Sequence, residues 1–155
     1  MIKISYLLLL LIPLLGGWGC NKKSGAKQLV VINVLDKKFF DDCHISDSIN
    51  IPFEQLGEFA DTLDQTAHIV VYCSNYMCTA SMEGARMLKQ KGFYNVWAYE
   101  AGMAGWYQEK LPCTGPAHEK YLTRENKPIE RTEKDLIIST QDLQQKMASM
   151  KIYSN

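Results

Sequence analysis

The chain has 155 residues, 46% of them hydrophobic, with 17 Lys plus Arg against 17 Asp plus Glu. That length suits one compact domain with a real core and leaves no room for a second domain of similar size. A formal net charge of zero lacks the electrostatic footprint of a nucleic-acid-binding protein, so no nucleic-acid partner is expected.

The first residues carry a targeting pattern. Lys3 supplies a thin basic region and Leu7 to Leu15 an apolar run interrupted by Pro13. The run is shorter than the roughly 20 residues that a membrane-spanning helix needs, which predicts a signal peptide over residues 1–19. Gly16-Gly17-Trp18-Gly19-Cys20, followed by the polar run Asn21 to Gly25, resembles a bacterial lipoprotein signal. That resemblance implies lipid attachment at Cys20, a lipidated linker over residues 20–28 and a membrane partner reached through the N-terminal lipid. The implied location is the bacterial cell envelope, anchored to the membrane and facing the periplasm. Cys43, Cys73, Cys78 and Cys113 remain, and an exported compartment lets thiols pair, with Cys43 and Cys113 as candidate partners.

Leu29 to Leu35 is rich in β-branched residues and predicts a first strand. Lys37 to Asp41 suits a helical turn, and Ile49-Asn50-Ile51 a short strand stopped by Pro52. Phe53, Leu56, Phe59, Ala60 and Leu63 recur at helical spacing, predicting a helix with one buried stripe. A second long strand covers Ile69 to Tyr72, followed by a polar loop and a helix over Thr79 to Gln90. Met82, Ala85, Met87 and Leu88 supply its apolar surface, and Gly92 its stop. Asn95 to Tyr99 reads as another strand and Gly102 to Tyr107 as another helical turn. Strands alternating with helices predict an α/β fold whose mainly parallel sheet is flanked by helices.

Beyond Leu111 the pattern weakens, and Pro112, Gly115, Pro116 and Pro128 punctuate a polar segment. Leu136 to Ile138 is either an edge strand or an apolar anchor. Ser139 followed by Asp142 resembles a helix capping arrangement, and Leu143, Met147 and Met150 then form a packing stripe. Residues 111–155 are read as a C-terminal extension packed on the domain of residues 29–110.

Several ordered blocks resemble the rhodanese-like domain family. Val31-Ile32-Asn33-Val34-Leu35 matches its opening strand, and Cys43-His44-Ile45-Ser46-Asp47-Ser48-Ile49-Asn50-Ile51-Pro52 its Gly-His-Ile-Pro-Gly-Ala-x-Asn-Ile-Pro stretch. Val70-Val71-Tyr72-Cys73 places a cysteine where that family carries sulfur, and Glu100 to Trp106 is close to its Gly-Gly-x-x-x-Trp close. The chain departs from the pattern at Asn33, Leu35, Cys43, Asp47 and Ala101. The resemblance implies a rhodanese-like sulfurtransferase in which Cys73 is the catalytic carrier of a persulfide. The sulfur passes from a small donor or persulfide to a thiol acceptor, which can be a protein thiol. It implies structural support from Asn33, His44 and Trp106, and no cofactor.

The chemistry at Cys73 is that of a thiolate, since only the anion is the nucleophile. Converging N–H groups and the positive end of a helix favour that anion, so the loop Ser74, Asn75, Tyr76, Met77 and Thr79 is the candidate substrate-binding segment. Between Cys73 and Thr79 there is no Lys or Arg. A dianion such as thiosulfate would lack a fixed cation there unless Arg86 reaches over, which favours thiol persulfides. Cys78 is a candidate resolving cysteine or a buried helix residue. His68, His118, Cys43 and Cys113 form no recognised metal spacing, so no metal is expected. Two alternatives stand beside the sulfurtransferase: a non-catalytic sulfur-sensing or protein-binding domain, and a redox-active thiol-disulfide oxidoreductase using Cys73 and Cys78.

Overall fold

The computed structural model describes residues 28–153. Strand β1 (Gln28–Asn33) leads to helix α1 (Lys37–Asp42), the short strands β2 (His44–Ile45) and β3 (Ile49–Asn50), and a 3₁₀ turn at Phe53–Gln55 that runs into α2 (Leu56–Ala60). Then come β4 (His68–Tyr72), α3 (Ala80–Gln90), β5 (Asn95–Tyr99), α4 (Gly102–Gln108), β6 (Cys113–Thr114), α5 (Thr140–Ser149) and β7 (Lys151–Ile152). The main sheet runs β3-β1-β4-β5 with every pairing parallel. It is the α/β sheet flanked by helices that the alternating pattern predicts.

Because side chains alternate across a strand, each buried strand feeds two cores. Val30, Ile32, Ile69, Val71, Val96 and Ala98 face α2 and α3, meeting Leu56, Ala60, Met82, Ala85 and Leu88. Leu29, Val31, Val70, Tyr72 and Tyr99 face the other way, onto Met103, Trp106, Leu122 and Leu143. Leu56, Leu88 and Leu143 are completely buried, and each such side chain contributes about 2–3 kcal/mol. The same alternation carries Cys73 to the face of Ile69 and Val71, under α3.

The main differences from the sequence reading lie at element ends. β1 stops at Asn33 rather than Leu35 because the Asn33 side-chain oxygen accepts the Leu35 N–H at 2.9 Å and turns the chain out of the sheet. The helix expected from Phe53 to Leu63 is split into a 3₁₀ turn and the short α2, ending in turn hydrogen bonds from Asp61, Thr62 and Leu63. The second sheet, antiparallel β2 with β6, and the closing strand β7 were absent from that reading. Each contributes only a residue pair, too few for any pattern to register. β7 and β3 share one edge of β1: β7 pairs with Gln28 and Leu29, β3 with Ile32 and Asn33. Leu136 to Ile138 is an anchor rather than a strand, making one parallel bridge to Ala98 with the Ile138 N–H donating to the Ala98 carbonyl at 3.0 Å.

The expectations of a membrane partner, lipoprotein character and a membrane-anchored location facing the periplasm are corrected. Among the described residues no helix is long and apolar enough to cross a membrane. Their buried apolar side chains are spent on the two faces of the sheet. The signal peptide over residues 1–19 and Cys20 lie outside the described residues.

Candidate functional site

Cys73 follows β4 directly, and the loop after it is pinned from below by the start of α4. The Met103 N–H donates to the Cys73 carbonyl and the Ala104 N–H to the Ser74 carbonyl, both at 2.9 Å. Gly102, at φ +62°, permits this approach: a β-carbon there would lie 2.6 Å from the Asn75 nitrogen and 2.7 Å from the Cys73 carbonyl oxygen. Only glycine combines that backbone angle with so close a contact.

The loop itself is a hydrogen-bonded turn. Asn75 accepts the Cys78 N–H on its carbonyl and the Met77 N–H on its side chain, each at 3.0 Å. The Tyr76 N–H donates to Asn126 Oδ1 at 3.1 Å, while Asn126 Nδ2 donates to the Ala101 carbonyl at 2.8 Å. These N–H groups are therefore committed to oxygen. Ser74 and Ala80, near the ends of the segment, act on the Cys78 thiol. The Cys73 S–H lies 3.5 Å from Ser81 Oγ.

The Cys73 S–H donates to the Cys78 carbonyl oxygen, which sets the two cysteines against each other. Cys73 has no exposed surface, and its thiol lies 3.3 Å from the Cys78 carbonyl oxygen. The bond to Cys78, burial, and the charge that Cys78 carries push the Cys73 thiol well above the ordinary cysteine range. Cys78 is half-buried, and the hydrogen bond from Cys73 is the chief influence lowering it to about 6, with Ala80 and Ser74 donors adding to it against partial desolvation. The negative charge of this pair therefore rests on the outer sulfur. Spacing alone permitted contact between the two cysteines; the structure establishes that they touch and which of them is accessible.

Other sequence-selected residues lie around this centre. Thr79 is the residue before α3 and donates from Oγ1 to Glu83 at 2.7 Å. Met77 is 78% exposed at the loop's corner. Arg86 does not approach the loop sulfurs through any hydrogen bond; its guanidinium is paired with Glu133. Asn33 serves the turn after β1. His44 stacks on Phe40 at 3.8 Å, with Nδ1 2.8 Å from the Phe40 carbonyl oxygen. Trp106 donates from Nε1 to the Pro112 carbonyl at 2.8 Å and meets Tyr99 edge-on. Cys43 is completely buried and Cys113 exposed; both are free thiols, and burial, with the nearby Cys113 thiol adding to it, raises Cys43 to about 12. Among the described residues, no group of His, Cys, Asp and Glu could hold a metal ion.

Sequence reasoning missed the contribution of the C-terminal segment. Arg131 pairs with Glu100, which is 3% exposed, at 2.8 Å, and its Nη2 lies 3.4 Å from the Tyr76 carbonyl oxygen. Asn126, Arg131 and Glu133 thus touch the loop, the end of β5 and α3 in turn. A cleft of about 400 Å³ opens between Tyr76, Glu100, Ile129 and Ile137. No local signal in the sequence marks Asn126 or Arg131, whereas Gly102 lay in view within the family-like block.

The geometry agrees with comparisons to known proteins. Residues 20–109 match the family model described as the rhodanese-like domain. The chain is 28% identical over 83 residues to the thiosulfate sulfurtransferase GlpE of Shewanella oneidensis, covering 54% of this chain and 80% of that protein. It is 26% identical over 92 residues to GlpE of Coxiella burnetii, covering 59% and 81%. Among solved structures, a Bacillus halodurans protein superposes with a TM-score of 0.53 at 26% identity, over 57% of this chain and 65% of that one, slightly under two thirds of its length. A rhodanese-related protein of Thermoplasma volcanium gives 0.50 at 27% identity, over 56% and 83%. With four parallel strands, a cysteine loop at the end of β4 and α4 beneath that loop, the chain belongs to the rhodanese-like domain family.

Proposed function

We propose that the protein is a sulfurtransferase that carries a persulfide on Cys73 between a sulfur donor and a thiol acceptor. The observation that carries this reading is the Cys73 to Ser81 loop, closed over a thiol at the strand end, with its first two carbonyls held by the backbone of α4. A covalent carrier divides sulfur transfer into two displacements, each needing only one thiolate and one leaving group. Cys73 attacks the outer sulfur of the donor, the donor's remaining thiolate leaves, and a thiol acceptor later removes that sulfur.

Cys73 lies beneath the Met77–Cys78 corner, so the donor reaches it when that corner moves outward. Met77 is 78% exposed, and little packing opposes the movement. The relatives named above are thiosulfate sulfurtransferases, which raises thiosulfate as a donor here. Two features favour a thiol persulfide instead. The loop from Cys73 to Thr79 has no basic residue. The guanidiniums nearest to it, Arg131 and Arg86, are occupied by Glu100 and Glu133. A dianion would have to displace one of these carboxylates.

The test exposes reduced protein to thiosulfate and, separately, to glutathione persulfide, and follows one added sulfur atom by intact mass and peptide mapping. Sulfur on Cys73, transferred faster from the persulfide, is expected. Sulfur that still loads and transfers after Cys73→Ser removes Cys73 as the carrier.

A further inference from the structure

Cys78 has a position that simple carriage of sulfur does not use. Its carbonyl oxygen lies 3.3 Å from Cys73 Sγ, its side chain packs against the core that holds Cys73, and it is half-buried where Cys73 has no exposed surface. Ser74 and Ala80, on either side of it in the loop, favour its thiolate. The arrangement holds a ready nucleophile against the sulfur that would bear the persulfide.

We infer that Cys78 discharges the Cys73 persulfide internally, so that the protein reduces sulfane sulfur to hydrosulfide and closes a Cys73–Cys78 disulfide. This rests on the carrier reading above. In the first step Cys73 passes its proton to the neighbouring Cys78 thiolate and attacks the outer sulfur of a persulfide R–S–SH; the R–S bond to that sulfur breaks, and R–S⁻ leaves and takes up that proton, which restores the Cys78 thiolate. In the second step the Cys78 thiolate attacks Cys73 Sγ. The Sγ73–Sγ78 bond forms, the bond from Cys73 Sγ to the outer sulfur breaks, and its electron pair leaves with hydrosulfide. Two cysteine sulfurs are oxidised to a disulfide and one sulfane sulfur is reduced. A thiol reductant, two monothiols or one dithiol, then reopens the disulfide and is itself oxidised, completing a cycle.

The direction of attack follows from leaving-group quality. Displacement at the outer sulfur would expel the Cys73 thiolate into a site with no exposed surface, where water cannot solvate the anion. Displacement at Cys73 Sγ expels hydrosulfide, a weaker base that leaves more readily. The attacking sulfur is already in contact with Cys73, so closing the bond needs only a local change within the loop. The Cys43 and Cys113 thiols lie in the other core and on β6, and have no part in this step.

Full-length reduced protein in a Cys113→Ser background, which removes the second thiol pair, is mixed with one equivalent of glutathione persulfide and quenched with an alkylating agent over a time course. Hydrosulfide is measured by trapping, and the protein by intact mass and differential alkylation. The expected result is one equivalent of hydrosulfide per chain together with a loss of two hydrogens confined to Cys73 and Cys78. With Cys78→Ser, and with Cys78→Ala as a second variant, one added sulfur stays on Cys73 and hydrosulfide falls at least tenfold. A wild-type loop that keeps its added sulfur as long as the Cys78 variants do would overturn the inference while leaving the carrier reading intact. A disulfide without hydrosulfide overturns it as well. If neither wild type nor the Cys78 variants take up sulfur on Cys73, the carrier reading itself falls and this inference falls with it.

Discussion

Gly102 and Asn75 meet backbone to backbone: a β-carbon on Gly102 would lie 2.6 Å from the Asn75 nitrogen. The contact couples the first turn of α4 to the cysteine loop, since the next two N–H groups of the helix hold the Cys73 and Ser74 carbonyls. The loop's shape is therefore set by a helix nearly thirty residues further along the chain. Gly102→Ala must either push the loop outward or unwind the start of α4. We expect a loss of about 1–3 kcal/mol, as for overpacking elsewhere, read from urea unfolding, together with faster alkylation of Cys73 as its cover loosens. Unchanged stability and unchanged Cys73 protection would show that the contact is not limiting.

Asn126 joins the loop to the residue before α4, accepting from Tyr76 and donating to Ala101. Asn126→Ala removes both bonds and leaves a part-buried N–H and carbonyl without their partner, which costs about 1–3 kcal/mol for a group that water cannot reach. Asn126→Asp keeps the acceptor for Tyr76 but sets a carboxylate against the Ala101 carbonyl. Both variants should lower the urea midpoint, and amide exchange at Tyr76 should accelerate in Asn126→Ala and stay closer to wild type in Asn126→Asp.

The two loop thiols should separate by pH. Cys78 is lowered to about 6 from 9.0, chiefly by the hydrogen bond from Cys73, so it is already largely thiolate at neutral pH and is protonated as pH falls through 6. Its alkylation rate should rise through pH 6 and level off above about pH 7, since a group one unit above its pKa is about nine-tenths ionised. Cys73, raised by its interaction with Cys78 and by burial, should be alkylated far more slowly than Cys78 over this range. Cys73→Ala deletes the donor and should move the Cys78 midpoint upward, towards that of an ordinary cysteine. A midpoint that stays near 6 in Cys73→Ala would assign the shift to Ser74 and Ala80 instead.

Glu100 is a carboxylate with 3% exposure whose charged partner is Arg131. Arg131→Met would leave that charge buried without its counter-ion, a change that costs about 3–5 kcal/mol. Replacing both, Arg131→Met with Glu100→Gln, should recover most of the loss. Urea midpoints of the two single variants and the double variant measure the coupling, and a double variant no more stable than Arg131→Met alone would contradict it.

Much of this architecture was legible from local pattern. The β-branched runs at Leu29 and Ile69 announced buried strands. The Ser139 cap was readable too: its hydroxyl accepts the Asp142 N–H at 3.1 Å and donates to the Asp142 carboxylate at 2.7 Å. Both features depend on residues a few positions apart, which sequence spacing encodes directly. The end of β1, the break before α2 and the two-residue strands depended on single turn hydrogen bonds or distant pairings, and spacing carries no record of those.

The sequence by itself determined an α/β sheet and a thiol at the end of its second long strand, because strand periodicity and a cysteine beside a polar loop are local properties. Only the tertiary structure decided how that thiol is surrounded. Burial puts Cys73 beneath Cys78, and Ser74 and Ala80 turn their donors to the outer sulfur. Asn126 and Arg131 arrive from fifty residues away to hold Tyr76. Which sulfur carries the charge is fixed by solvent access and hydrogen-bond direction in three dimensions, quantities that exist only once the chain has folded.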